Sequence, residues 1–290
     1  MNGKETLGPV CVAAINLKGG VGKTTLTALL GRHGAARLGL DVLAIDLDPQ
    51  ANLSQAYMRD TYREFLQSQD PSIVEVFSDM RPPGEGRLSP TRLRIEDAVV
   101  EIARYRKGGR LDLIPSRFDF SNHLTKSLKP DETRLARCVA EHFQHKDLIL
   151  IDCAPTESVF TMAAYHASRY VLVPVKPEFF ATIGFPLLKQ SLDTFRSGNR
   201  GHTIDVVGVV INNSFYDGGN RGGPEKERAM PDIRTEAANN GWKLFRHEIE
   251  HSRGYPKLMR GDDKWSGNAT YFYEFADEFF ERLGMTPANG

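Results

Sequence analysis

The sequence is poor in cysteine. The three it has, Cys11, Cys138 and Cys153, stand far apart with no Cys-x-x-Cys among them. That argues against a disulfide framework or a zinc site and suits three small core residues in a reducing compartment. It also leaves Cys153 without an evident partner thiol for an iron–sulfur cluster gripped between two copies, as an electron-transfer ATPase requires. No apolar run approaches the roughly 20 residues needed to span a bilayer. The first ten residues, "MNGKETLGPV", lack the apolar centre of a signal peptide. An excess of one charge is missing too, since 37 Lys and Arg stand against 37 Asp and Glu. A nucleic-acid surface would therefore come from local clustering, not net basicity. Without an internal repeat or a dividing linker, the 290 residues are expected to form one α/β domain, 1–290, with 1–9 flexible.

What is present is an alternation. Apolar, β-branched runs predict strands at 10–16, 41–48, 111–115, 147–153, 170–175 and 204–212, with 242–245 as a further candidate. Amphipathic segments predict helices at 24–39, 133–143, 158–167, 181–195 and 225–239. Strands alternating with helices imply a mostly parallel, twisted sheet covered on both faces, with ligands at the carboxyl ends of the strands. Residues 81–94, rich in Pro, Gly and Arg, and the glycine-rich 217–228 are expected to be surface loops. A C-terminal helix at 268–284 gathers Phe272, Phe275, Ala276, Phe279, Phe280 and Leu283 on one face and Glu274, Asp277, Glu278 and Glu281 on the other. An acidic polar face is the reverse of what a membrane-surface helix carries, so docking on the sheet is expected.

The stretch "INLKGGVGKTT", 15–25, lies between the first strand and the first helix. Gly19, Gly20 and Gly22 allow the backbone around Val21 to curl its N–H groups toward phosphate oxygens, aided by the helix N-terminus. Lys23 is placed to reach the β- and γ-phosphates, and the Thr24 hydroxyl to ligate Mg²⁺. The usual phosphate loop has a glycine where this chain has Leu17, and next to it stands a second lysine, Lys18. Two other strand ends carry carboxylates. "LILIDCAP" ends on Asp152, suited to hold the water shell of Mg²⁺. "LAIDLDPQ" ends on Asp46 and Asp48, either of which could orient an attacking water or simply hold a turn.

"KGGVGKTT", "DLDPQANLS", "LIDCAP" and "VPVKPEFFATIG" together resemble the deviant Walker A P-loop ATPases of the ParA type, in order from about residue 10 to 213. The resemblance implies an ATPase using ATP and Mg²⁺, weak until a partner stimulates it. It also implies a homodimer formed on ATP. Lys18 would reach the partner copy's phosphates, Lys23 bind phosphate, Thr24 bind Mg²⁺ and Thr25 hold the α-phosphate. Asp48 would position water and, with Asp152, support the metal, and Asn212, with Pro177 nearby, would contact adenine. It further implies nonspecific DNA binding, with Arg196 and Arg234 where the family tends to place DNA-binding arginines among other basic positions such as Arg200, Arg221, Arg253, Lys257 and Arg260. A ParB-type centromere-binding adaptor, partition of a plasmid or chromosome, and a cytoplasmic, nucleoid-associated site without membrane complete the expectation. A family member that positions a protein cargo, a MinD-like membrane ATPase and a biosynthetic P-loop ligase are the alternatives. Ala154, where a second proline is usual, departs from the pattern. With fewer than about ten residues before the first strand, an N-terminal helix-turn-helix is not expected.

Overall fold

Short aliphatic runs build the sheet. The strands are β1 (Val10–Ala14), β2 (Asp41–Asp46), β3 (Val100–Arg104), β4 (Arg110–Ile114), β5 (Leu148–Asp152), β6 (Tyr170–Val175) and β7 (Asp205–Ile211). The computed structural model describes residues 8–78, 95–118, 131–212, 223–261 and 270–285. Among these, one seven-stranded sheet runs in the order β3-β4-β2-β5-β1-β6-β7. Every neighbouring pair is parallel except β3, which returns antiparallel along β4 at the edge. β5 is buried along its whole length, as a strand covered on both faces requires.

The helices are α1 (Lys23–Leu38), α2 (Asn52–Met58), α3 (Thr61–Gln67), α4 (Ile73–Ser78), α5 (Arg134–His142), α6 (Val159–Ala167), α7 (Gly184–Gly198), α8 (Pro224–Asn239), α9 (Tyr255–Met259) and α10 (Thr270–Arg282). Period-2 alternation divides the core between the two faces. Cys11, Ala13 and Ile15 join Phe160, Tyr165, Phe185 and Trp242 on one side. Val12 joins Leu26, Tyr57, Phe275 and Phe279 on the other. The two clusters make a three-layer α/β domain whose parallel strands end on a common side.

α10 buries five of the six apolar residues expected of it, and Leu283, just past its end, is buried as well. Its polar face is corrected at one position. Glu278 is buried and accepts from Arg282 Nη2 at 2.8 Å and the Arg246 backbone N–H at 2.9 Å, so it is a clamp rather than a solvated charge. Burial opposes its ionisation, but these hydrogen bonds outweigh it and hold its carboxyl below the usual range. The expected strand at 242–245 is a single bridge between Leu244 and Val209. α7 begins at Gly184, not 181, and residues 224–228 open α8 instead of extending a loop. The loop at 81–94, positions 217–222, 268–269 and 1–7, and Arg221 lie outside the described residues.

Candidate nucleotide site

The loop from Asn16 to Gly22 joins β1 to α1 at the carboxyl end of the sheet. Asn16 fixes its start: Nδ2 donates to the Pro174 carbonyl at 2.8 Å, while Oδ1 accepts from the Lys18 N–H at 2.9 Å. Gly22 has φ 96°, and a Cβ there would fall 2.0 Å from Asn212 Nδ2, so only glycine fits. That Asn212 amide donates to the Val21 carbonyl at 2.8 Å and ties the end of β7 to the loop. Gly184, at the start of α7, also packs tightly on the loop, its missing Cβ 3.3 Å from Asn16 Oδ1. Gly19 and Gly20 remain exposed at the crest.

Lys23 is buried, and its Nζ curls back to donate to the carbonyls of Asn16 at 2.9 Å and Lys18 at 3.1 Å. Burial lowers its pKa, and the negative potential of Asp152 and Asp48 opposes the fall. Thr24 and Thr25 follow in the first turn of α1, where backbone N–H groups are unspent.

Asp152 ends β5, in register with Asp46 on β2 and Ala14 on β1. Both Asp152 carboxylate oxygens are buried without a hydrogen-bond partner. Burial drives its pKa well up, Asp46 adds to the rise, and the nearby Thr24 hydroxyl works against it. A buried, orphaned carboxylate beside a threonine hydroxyl at a phosphate loop fits a hydrated divalent cation. No cage of three or more His, Cys, Asp or Glu side chains occurs among the described residues. That suits Mg²⁺, which takes one or two protein ligands and fills its octahedron with water and phosphate.

The two aspartates of β2 separate. Asp46 is fully buried and accepts from Ser54 Oγ at 2.7 Å, Ser54 N at 2.8 Å and Asp48 N at 3.1 Å. Burial raises its pKa to about 7. It is the turn-holding residue. Asp48 accepts from Gln50 N at 2.9 Å and stands close enough to Lys23 to act on its charge.

Lys18 is not loose in solvent. Its Nζ pairs with Glu178 Oε1 at 2.7 Å, and Lys176 Nζ pairs with Glu178 Oε2 at 2.6 Å. Burial of Glu178 opposes its charge, but the two lysines outweigh this and keep its carboxyl below the usual range. Pro177, buried, sits between the members of the second pair. After Glu178 the chain exposes four large apolar side chains: Phe179, Phe180, Ile183 and Leu187, at 71%, 59%, 61% and 52%. Phe180 is held at φ 63°, a conformation side chains rarely adopt. Between this segment and α8 lies a cavity of about 660 Å³.

Two of the expected DNA contacts part company. Arg196 spends its guanidinium on the Ile204 carbonyl, at 3.1 and 2.8 Å, and on Asp193. Arg234 is exposed on α8. Asn16, Gly184 and Glu178 are the site residues that sequence reasoning missed. Glu178 lies inside the "VPVKPEFFATIG" stretch, but its pairing with Lys18 has no local signal.

A family model described as an AAA domain matches residues 10–203, more than half of the chain. The sporulation initiation inhibitor protein Soj of Bacillus subtilis is 31% identical over 206 residues, covering 69% of this chain and 71% of Soj. The chromosome partitioning protein ParA of Caulobacter vibrioides is 29% identical over 290 residues, covering 91% of each. The solved ATP complex of Cyanothece McdA superposes with a TM-score of 0.74 at 20% identity, covering 98% of this chain and 99% of that one. The chain belongs to the AAA-domain family of ParA-type P-loop ATPases, nucleotide hydrolases that use ATP and Mg²⁺. Among the described residues, no helix is long and apolar enough to cross a membrane.

Under the dimer reading proposed below, Glu178→Gln should free Lys18 and shift self-association with ATP to about two- to fivefold lower protein concentration. That magnitude follows from an ion pair with side chains 31% and 25% exposed, worth about 0.5–1 kcal/mol. Sedimentation velocity across a protein titration checks it, and an unmoved midpoint would mean that the pair does not restrain Lys18.

Proposed function

We propose that this chain is an ATP-switched dimer that binds DNA without sequence preference in its ATP state. With a DNA-bound adaptor of the ParB type it would move a plasmid or chromosomal locus, working in the cytoplasm on the nucleoid. The observation that carries this reading is the surface around Lys18: a lysine held at the phosphate loop by Glu178, flanked by exposed Phe179, Phe180, Ile183 and Leu187. Such an apolar face invites cover, and a second copy closing on it would bring its own Lys18 to the first copy's phosphates. The names of Soj and of the Caulobacter ParA, a sporulation initiation inhibitor and a chromosome partitioning protein, support the same direction.

Within that reading Lys23 holds the β- and γ-phosphates, and Thr25, with the Gly19–Gly22 backbone, holds the rest. Thr24 and Asp152 would hold Mg²⁺, which would supply positive charge to the phosphates, while Asp48 aligns the attacking water. Asn212 and Pro177 border the base. Phosphoryl transfer needs positioning and positive charge above all. A cation supplied by the second copy makes hydrolysis wait for dimerisation, and makes the ATP dimer a timed state that an adaptor can end.

The test is binding of random-sequence duplex DNA with ATP, with ADP and without nucleotide, across a salt series. Binding is expected with ATP alone, falling by roughly a thousandfold or more between about 50 and about 200 mM salt if six or more phosphates are contacted. Equal retention in all three states would overturn the switch.

A further inference from the structure

We infer that the DNA backbone is held by a basic cleft on the far half of α1, between that helix, the β3–β4 hairpin, α9 and α10. This rests on the DNA-binding reading above and names the surface that performs it. The cleft has a volume of about 520 Å³, and five arginines line it: Arg32, Arg37, Arg59, Arg104 and Arg260. Among the described residues, no carboxylate lines it. Arginine keeps its charge at any working pH and presents a fork that matches phosphate.

Two of these arginines are set in place by neighbours. Arg32 Nε donates to the Met259 carbonyl at 2.8 Å and Nη1 to Tyr105 Oη at 3.2 Å, with the guanidinium 5.1 Å from the Tyr57 ring centre. Arg37 stacks 4.3 Å from the centre of the Tyr273 ring. Stacking fixes a cation's direction without neutralising it. Arg37 and Arg260 are exposed, and neither has an ion pair among the described residues. Lys107, whose Nζ lies 3.4 Å from the Arg37 carbonyl, and exposed Arg106 extend the charge along the hairpin, as exposed Lys257 does along α9. Local carboxylates offset part of it: Glu101 pairs with Arg104 at 2.7 Å, and Asp277 stands 3.4 Å from His33. His33 adds no charge, because burial lowers its pKa to about 4.

The cations are spread along a helix, a hairpin and a second helix rather than converged on one point. That pattern follows a polyanion, whose phosphates are read by position and not by sequence. Location fits as well. Arg37 is fourteen residues along α1 from Lys23, about 21 Å at the helical rise. The cleft is therefore remote from the phosphate loop and from the nucleotide that the loop would hold. Arg196, by contrast, is committed to Ile204 and Asp193.

The experiment is fluorescence anisotropy of a labelled random-sequence duplex with ATP and Mg²⁺, across a salt series. Wild type is compared with Arg37→Glu/Arg260→Glu, Arg37→Ala/Arg260→Ala, Arg37→Lys/Arg260→Lys and Arg234→Glu. The Glu pair should lose about tenfold or more in affinity, and the Ala pair's log–log salt slope should fall by about 2, one per lost phosphate contact. The Lys pair and Arg234→Glu should stay within about threefold of wild type. ATP-dependent dimerisation and DNA-free hydrolysis should be unchanged, and the Ala pair provides the reading if the Glu pair folds poorly. Wild-type DNA binding with equal affinity and slope in the Ala and Glu pairs would overturn the cleft and leave the DNA reading standing. A wild type that binds no DNA with ATP would overturn both. Binding to phosphatidylglycerol vesicles that the Ala pair loses, with its DNA binding intact, would give the surface to lipid headgroups and overturn it as well.

Discussion

Lys18→Ala should lower ATP hydrolysis by roughly a thousandfold while leaving appreciable ATP binding. The reasoning starts from where charge develops. In phosphoryl transfer, negative charge gathers on the transferred group and the leaving oxygen, and a cation delivered there from a second protein commonly contributes about 10³–10⁵ in rate. Ground-state affinity rests on other groups: the loop N–H donors, the N-terminus of α1 and Lys23, whose Nζ already lies over the loop carbonyls of Asn16 and Lys18. Removing Lys18 leaves those intact. Phosphate release read beside equilibrium ATP binding separates the two effects. A variant that hydrolyses ATP at the wild-type rate would remove the in-trans role.

Asp48→Ala should lower hydrolysis by about 10²–10⁴, the usual worth of a positioned water or base, and should let an ATP-loaded dimer accumulate. Its neighbour gives the contrast. Asp46→Ala removes the acceptor for two backbone N–H groups and the Ser54 hydroxyl. It is expected to cost about 1–3 kcal/mol of stability through unsatisfied buried donors without trapping a dimer. Light scattering with ATP distinguishes them. Asp48→Ala remaining monomeric, or Asp46→Ala accumulating dimers, would reverse the assignment of the two carboxylates.

The phosphate loop and its carboxylates were legible in the sequence because each is local. Gly19, Gly20, Gly22, Lys23 and Thr24 fall between a buried strand and a helix start, and Asp152 ends an unbroken apolar run. The strands of the sheet interior were legible for the same reason, since burial on both faces leaves a continuous aliphatic signature. β3 was not. "VEIAR" mixes apolar and charged residues at a half-buried edge, with no continuous apolar run to stand out. α2, α3 and α4 were missed as six- or seven-residue helices, well short of a periodic window. Glu278 read as a surface charge because helical spacing gives a residue's side of the helix, while its partners Arg246 and His247 come from a distant segment. Glu178 pairs with Lys18 across 160 positions, and nothing near either residue announces the other. Asn212 was expected beside the base. It spends one amide hydrogen on Val21, an exchange set by the close approach of Gly22 that no linear pattern encodes.

The most direct measurement mixes two inactive variants. Lys18→Ala keeps Asp48, and Asp48→Ala keeps Lys18. If the lysine crosses to the partner's nucleotide, a mixed dimer regains one complete site, made from Asp48 of one copy and Lys18 of the other. An equal mixture should then recover about a quarter of the wild-type ATPase rate, since half the dimers are mixed and each has one working site of two. If the lysine serves its own nucleotide, every site in the mixture lacks one group, and the rate stays at the level of the separate variants.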